Sequence, residues 1–298
     1  MNIVRIFIAY IDYLLIRVLN FLYKLIPDQK SYSLGFIVGT TLYPFFSKRR
    51  RIAIDNILQA KITTDPQRAD AIARHSFGHL VGHLCEAFKI SNILTAHNWR
   101  DHIILEGPEA SWRLLLASPE TPIIILTGHH GVWETAATIV SFTRPIIAIA
   151  RRMNNPFVNR FLKASCFRGE ITIIPKDKGF TPNILRAWKQ KGAAMTLVMD
   201  QHAGPKYGMM IDFMGRPAST HTSPARLHLQ FGAPILIGSV IREAPFKYRM
   251  ITEEPITFTP TGNQEADTAA LLTQLNQRLE TLIRRYPEQY LWAHKRWK

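Results

Sequence analysis

A chain of 298 residues, 47% hydrophobic, can build a sizeable core, in one large domain or two small ones. Its two cysteines, Cys85 and Cys166, exclude a disulfide framework and fit a reducing compartment. The net charge of +15 says nothing about fold but predicts attraction to acidic partners: nucleic acid, anionic lipid headgroups, phosphorylated substrates or an acidic carrier protein.

At the N-terminus, residues 3–26 are apolar apart from Arg5, Asp12, Arg17, Asn20 and Lys24. A helix of this length is roughly 36 Å long, enough to cross a bilayer. At ~100° per residue the five polar side chains fall within an arc of roughly 140°, with Phe7, Ile11, Leu14, Val18, Leu22 and Leu25 opposite. That pattern predicts an amphipathic helix on a membrane surface; a spanning or partly inserted helix and a core-packed helix are the alternatives. No small-residue cleavage site follows, so no secretory signal peptide is expected. Residues 1–30 read as a membrane-anchoring segment and 31–298 as one domain.

Residues 31–60 read as helical and carry the basic knot Lys48-Arg49-Arg50-Arg51, either a solvated charge run or a contact for anionic headgroups. Residues 65–90 predict a long helix bearing His75, His79, His83 and Glu86. The i, i+4, i+8 spacing aligns three imidazoles, but zinc would need a further ligand, and a polar helix face without metal is expected. From about residue 120 short apolar runs (123–126, 146–150, 171–174, 195–199, 235–241 and 248–252) alternate with helical stretches, the rhythm of a sheet with helices packed on it. A last helix, 267–285, ends before Pro287.

The first of these runs leads into Thr127-Gly128-His129-His130-Gly131-Val132-Trp133-Glu134. A histidine on a tight turn at the carboxyl end of a strand stands where catalytic groups gather in open α/β sheets. Histidine is suited to moving a proton near neutral pH, and a carboxylate can fix its tautomer. The plain alternative is a packed histidine beside an acidic neighbour.

Further along come Asp200-Gln201, Phe213-Met214-Gly215-Arg216-Pro217-Ala218 and an ending with Pro287, Trp292, His294, Arg296 and Trp297. Together with Arg49-Arg50-Arg51, Asn56 and the spacing of His129 to Glu134, these make the chain resemble the bacterial lipid A biosynthesis (late) acyltransferases of the lysophospholipid acyltransferase superfamily. The resemblance runs over nearly the whole chain. It implies an α/β fold with a central, mostly parallel sheet flanked by helices, residues 31–298 forming the acyltransferase domain. It also implies an acyltransferase of the kind that moves groups other than aminoacyl groups, carrying a fatty chain from a thioester to a hydroxyl of a membrane glycolipid such as a lipid A precursor. The implied donor is acyl carrier protein or acyl-coenzyme A as co-substrate, with no cofactor and no metal. Its acceptor is an anionic glycolipid, its setting the cytoplasmic face of a bacterial inner membrane, and no nucleic-acid partner is expected.

On that reading His129 is the general base, preferred over His130, which is usually apolar or aromatic in the family. Glu134 or Asp200 holds its second nitrogen. The backbone N–H groups of Gly131 and Val132, at a helix start, are the expected oxyanion donors. Arg151 and Arg216 are basic positions that could meet a phosphate or sugar acid, and an apolar tunnel beside His129 is expected for the acyl chain. Acylation of another acceptor (a phosphatidylinositol mannoside, a lysophospholipid or an amino-acid lipid) and a non-catalytic basic lipid-binding protein are the alternative functions.

Overall fold

The computed structural model describes residues 3–118, 120–150, 155–158, 170–175 and 180–298, with the backbone alone at residues 3–8, 15 and 19. Arg151 and Cys166 lie outside the described residues.

Helices α1 (Ile3–Lys24), α2 (Ser31–Leu42), α3 (Ser47–Gln59) and α4 (Pro66–Ile93) precede the sheet. The longest, α4, starts where the rules for helix ends place it: Asp65 accepts from the Gln67 N–H and Pro66 fills the first turn. α2 and α4 cross at glycines. A Cβ on Gly39 would lie 2.6 Å from the Phe77 carbonyl, and one on Gly82 would lie 2.9 Å from the Tyr32 ring. That close approach turns Leu34, Ile37, Val38 and Leu42 of α2 outward, next to Phe45, which is 80% exposed.

On α1 the apolar side chains Ile11, Leu14, Val18 and Leu22 are exposed, as is Leu25 just after it, so this face is not packed in a core. The opposite side is tied down: Tyr23 Oη donates to the Cys85 carbonyl, Lys89 pairs with Asp28 at 2.9 Å, and Asn155 Nδ2 donates to the Ala9 carbonyl. Among the described residues no helix is long and apolar enough to cross a membrane.

Among the described residues nine strands follow: β1 (Ile103–Glu106), β2 (Ile123–Thr127), β3 (Ile146–Ala150), β4 (Ile171–Pro175), β5 (Ala194–Val198), β6 (Gly208–Phe213), β7 (Arg216–His221), β8 (Ile235–Ala244) and β9 (Lys247–Thr252). Seven form one sheet in the order β1-β9-β8-β2-β5-β3-β4, parallel throughout except for the β8–β9 hairpin. The expected α/β fold with a mostly parallel sheet is thus observed. Strands covered on both faces need apolar side chains on both, which is why β2 reads as an apolar run and β8 begins as one at Ile235-Leu236-Ile237. Ile124 and Leu126 of β2 face Leu271, Leu275 and Leu279 of the C-terminal helix Gln264–Arg285. Ile123 faces the other way, in the cluster that holds Ile139 and Val140 of α5 (Trp133–Ser141). Each fully buried aliphatic chain is worth on the order of 1.5–3 kcal/mol.

β6 and β7 form a separate hairpin whose turn residues Met214 and Gly215 have φ of 56° and 80°. Two left-handed residues in succession match the twist of a tight hairpin. The stretch 213–218, met in the sequence as a motif, is this turn and its flanks.

Candidate active site

β2 and β5 lie side by side, and their register decides the site. Thr127 pairs with Val198, so the residues two beyond each, His129 and Asp200, leave the sheet together. Asp200 takes both polar hydrogens of His129 that face it. Its Oδ1 lies 2.9 Å from the ring Nδ1 and its Oδ2 accepts the backbone N–H at 2.9 Å. Of the two acids considered, Asp200 therefore holds the imidazole. Because the carboxylate only accepts, Nδ1 carries the proton and Nε2 the lone pair. The ring reaches the surface while the acid does not, at 22% and 2% side-chain exposure. Burial alone would push the imidazole down in pKa; the Asp200 charge and its hydrogen bond outweigh that, and the pKa is raised. Burial would push Asp200 up, but the two His129 hydrogen bonds and the neighbouring charges of His129 and Arg296 bring it below its ordinary range.

The turn carrying His129 is clamped at nearly every backbone group. The Gly131 N–H donates to the Gln289 carbonyl at 2.9 Å and the Val132 N–H to the Val240 carbonyl at 2.8 Å. The Leu291 N–H donates to the His129 carbonyl at 3.0 Å. Gly131 has a φ of 66°, and a Cβ there would collide with the Val240 carbonyl, so only glycine fits. These bonds correct one expectation. The Gly131 and Val132 N–H groups are spent on the C-terminal segment and on β8, and neither is free to receive an oxyanion.

His130 faces inward. It is fully buried, its Nε2–H donates to the Tyr286 carbonyl at 3.1 Å and its Nδ1 accepts from Ser239 Oγ at 3.0 Å. Burial, only partly opposed by the Tyr286 carbonyl, pushes its pKa down to about 4. The ring is a neutral strut.

The histidine stripe of α4 departs from expectation more sharply. His79 and His83 are buried, not on a polar surface, because α4 lies across the carboxyl end of the sheet. His79 accepts from Tyr32 Oη at 3.1 Å and donates to the Gly131 carbonyl at 3.0 Å. His83 stands against Glu134, with Nδ1 3.4 Å from Oε2, and stacks edge-on to Trp133 at 4.3 Å. Neither ring nitrogen of His83 has a hydrogen-bond partner. Burial pushes Glu134 up to about 7 and His83 well down, the pair of shifts that suits a neutral acid beside a neutral imidazole. Glu134 is thus part of the site without bonding His129. Among the described residues no group of three His, Cys, Asp or Glu side chains is placed to hold a metal.

Trp133 joins this chemistry to the apolar interior. Its ring is edge-on to His129 at 5.2 Å, and it also lines a cavity under α5 with Leu115, Ala136, Val140, Leu236 and Met250. The cavity holds about 60 Å³, several waters on a measure where one needs about 10–15 Å³.

The closing residues of the chain frame the site from the other side. Asn56 Nδ2 donates to the carbonyls of Trp292 and His294, both at 2.8 Å. His294 Nε2 accepts the His202 N–H at 3.3 Å. Buried Arg296 donates to the carbonyls of Gln201 and Ser219 and to Thr220 Oγ1. The tail is a brace for the turn 200–202. Arg216 is turned to this brace as well, its guanidinium 5.3 Å from the Trp297 ring, and no described contact brings it to His129. Gln201, quoted in the sequence without a role, places its Nε2 3.2 Å from His129 Nε2.

The chain matches the family model described as bacterial lipid A biosynthesis acyltransferase over residues 2–298. It is 24% identical over 270 residues to the lipid A biosynthesis palmitoleoyltransferase of Escherichia coli (strain K12), covering 89% of this chain and 84% of that protein. The lipid A biosynthesis acyltransferase of Shigella flexneri is similar at 24% over 270 residues, with the same coverage. Fold, turn and match agree: this chain belongs to the bacterial lipid A biosynthesis acyltransferase family and is an acyltransferase.

Proposed function

We propose that the protein transfers a fatty acyl chain from a carrier thioester to a hydroxyl of an anionic lipid A precursor at the cytoplasmic face of the inner membrane, with His129 as general base. An alcohol is a poor nucleophile until a base takes its proton. The observation that carries the reading is the tautomer: Asp200 receives Nδ1–H at 2.9 Å, which leaves Nε2 as the basic nitrogen of a ring that is 22% exposed. The cavity reached past Trp133 gives the first methylenes an apolar place, and a long chain would widen it. Acyl carrier protein, itself acidic, suits a chain of charge +15 as donor, and acyl-coenzyme A is the alternative. Incubating the purified protein with a lipid A precursor and labelled dodecanoyl thioesters of each carrier is expected to give a precursor heavier by one acyl chain. No product from either donor would overturn the assignment of substrates.

The exposed apolar residues of α1 and α2, with Phe45 and the basic knot that follows it, form the surface that would lie on the membrane. Each aliphatic side chain buried in the acyl boundary contributes on the order of 1.5–3 kcal/mol. The double variant Val18→Asp, Leu22→Asp is expected to weaken partition onto anionic phospholipid vesicles at least ~10-fold while leaving acyl transfer in detergent intact. Unchanged sedimentation with the vesicles would place the contact elsewhere.

A further inference from the structure

When an alcohol attacks a thioester, negative charge gathers on the carbonyl oxygen, and a donor fixed in advance at that place is the usual largest contribution to catalysis. The two backbone donors expected from the helix start, at Gly131 and Val132, are already bonded within the fold. The side-chain amide of Gln201 stands beside the base instead, 3.2 Å from His129 Nε2. With the Nδ1 proton committed to Asp200, the amide N–H is the donor and the imidazole lone pair the acceptor. In this resting arrangement the amide caps the base, so a hydroxyl can reach Nε2 only by displacing it.

Displacement does not carry Gln201 away. Its own carbonyl accepts from Arg296 at 3.3 Å, the next residue's N–H is held by His294 at 3.3 Å, and Asp200 before it is held by the two His129 hydrogens. Only the side chain is free to swing, and an amide that began within hydrogen-bond distance of Nε2 ends within reach of whatever reacts there.

We propose that Gln201 is a catalytic residue: the incoming alcohol displaces its amide from the base, and the amide then donates N–H to the oxyanion of the tetrahedral intermediate. This rests on the reading of His129 as base. As the alcohol oxygen bonds to the thioester carbon, its proton passes to Nε2 and the carbonyl electron pair moves to oxygen, where Gln201 meets it. Collapse re-forms the carbonyl and breaks the carbon–sulfur bond, and the thiolate takes the proton back from Nε2. Nothing else is consumed.

The test uses the full chain in detergent with the dodecanoyl thioester of acyl carrier protein and a lipid A precursor. Q201A, and Q201E as the variant that keeps size but loses the donor, are expected to lower kcat about 10²–10³-fold with little change in KM for either substrate. The loss should persist at every pH above the acid limb of the profile. A dithioester donor, whose sulfur accepts hydrogen bonds weakly, should narrow the gap between wild type and Q201A. A kcat within about threefold of wild type, a loss that vanishes as pH rises, or a gap unchanged with the dithioester would each overturn the role. An inactive His129→Ala protein beside a fully active Q201A would sink this proposal alone, whereas full activity of His129→Ala would sink the base itself.

Discussion

Replacing His129 with alanine is expected to lower kcat/KM for acyl transfer about 10³–10⁴-fold, the upper range for loss of a general base, or roughly 4–5.5 kcal/mol of barrier. KM should change little, because the imidazole meets the reacting hydroxyl and not the bulk of either lipid. The protein should stay folded. The ring is partly exposed, and Asp200 keeps the His129 backbone N–H and the nearby Arg296 charge. Loss of one charge-assisted hydrogen bond costs about 1.5–3 kcal/mol, visible as a lower Tm but not as unfolding. His130→Ala is the instructive contrast. It removes a fully buried ring and orphans Ser239 Oγ and the Tyr286 carbonyl, so it should cost more stability and far less chemistry per folded molecule. Thermal unfolding and single-turnover kinetics on the two variants separate these effects. Equal activity of His129→Ala and wild type would remove the proposed mechanism.

The sequence carried the sheet well and the site unevenly, for reasons that lie in particular residues. Central parallel strands are covered on both faces, so they appear as apolar runs with ends near those observed. β1 escapes that signal because Ile104 and Leu105 are exposed and the strand is four residues long. The β6–β7 hairpin escapes it because its residues are mixed and it stands outside the main sheet. The last helix begins at Gln264, three residues before expectation, because Asn263 caps it by accepting from the Ala266 N–H. On α1 the helical period groups Ile11, Leu14, Val18 and Leu22, all of which prove exposed.

Within the site, His129 was legible because its turn follows a strand directly. The choice between Glu134 and Asp200 was not, because it depends on β2 lying beside β5, seventy-odd residues away in the chain. A helix start offers free N–H groups in general, and that rule failed at Gly131 and Val132. There a left-handed glycine turns the backbone toward β8 and the C-terminal segment, which use those groups up. The same dependence on assembly hid His79 and His83: spacing aligns them on α4, but only the packing of α4 over the sheet end decides that the aligned face is buried. Gln201 had the subtlest signal, its position directly after the acid that orients the base.

Asp200→Asn is expected to be nearly as damaging as loss of the base, about 10³–10⁴-fold in kcat, on the precedent of orienting carboxylates replaced by amides. The reason is stereochemical. Asp200 accepts two hydrogen bonds from His129, one on each oxygen. An asparagine has one acceptor and one donor, so in either orientation an N–H group faces another N–H or forces the imidazole into the tautomer that puts its proton on Nε2, where the alcohol's proton must go. The charge matters separately. Asp200 raises the His129 pKa, so its removal should shift the acid limb of the kcat/KM profile to lower pH in whatever activity remains. Stability has the matching sign. The raised imidazole pKa stabilises the fold fully below its ordinary value of 6.5 and loses that contribution as pH rises through the folded value. The lowered Asp200 pKa stabilises above its ordinary value of 3.8 and loses that contribution as pH falls through the folded value. The ionic part of the Asp200→Asn penalty should therefore be largest near pH 5, between the two, and shrink as the solution becomes alkaline, leaving the mismatched hydrogen bond behind. Tm measured for both proteins across that range checks the pairing without reference to activity, and a penalty that grows toward alkaline pH would contradict it.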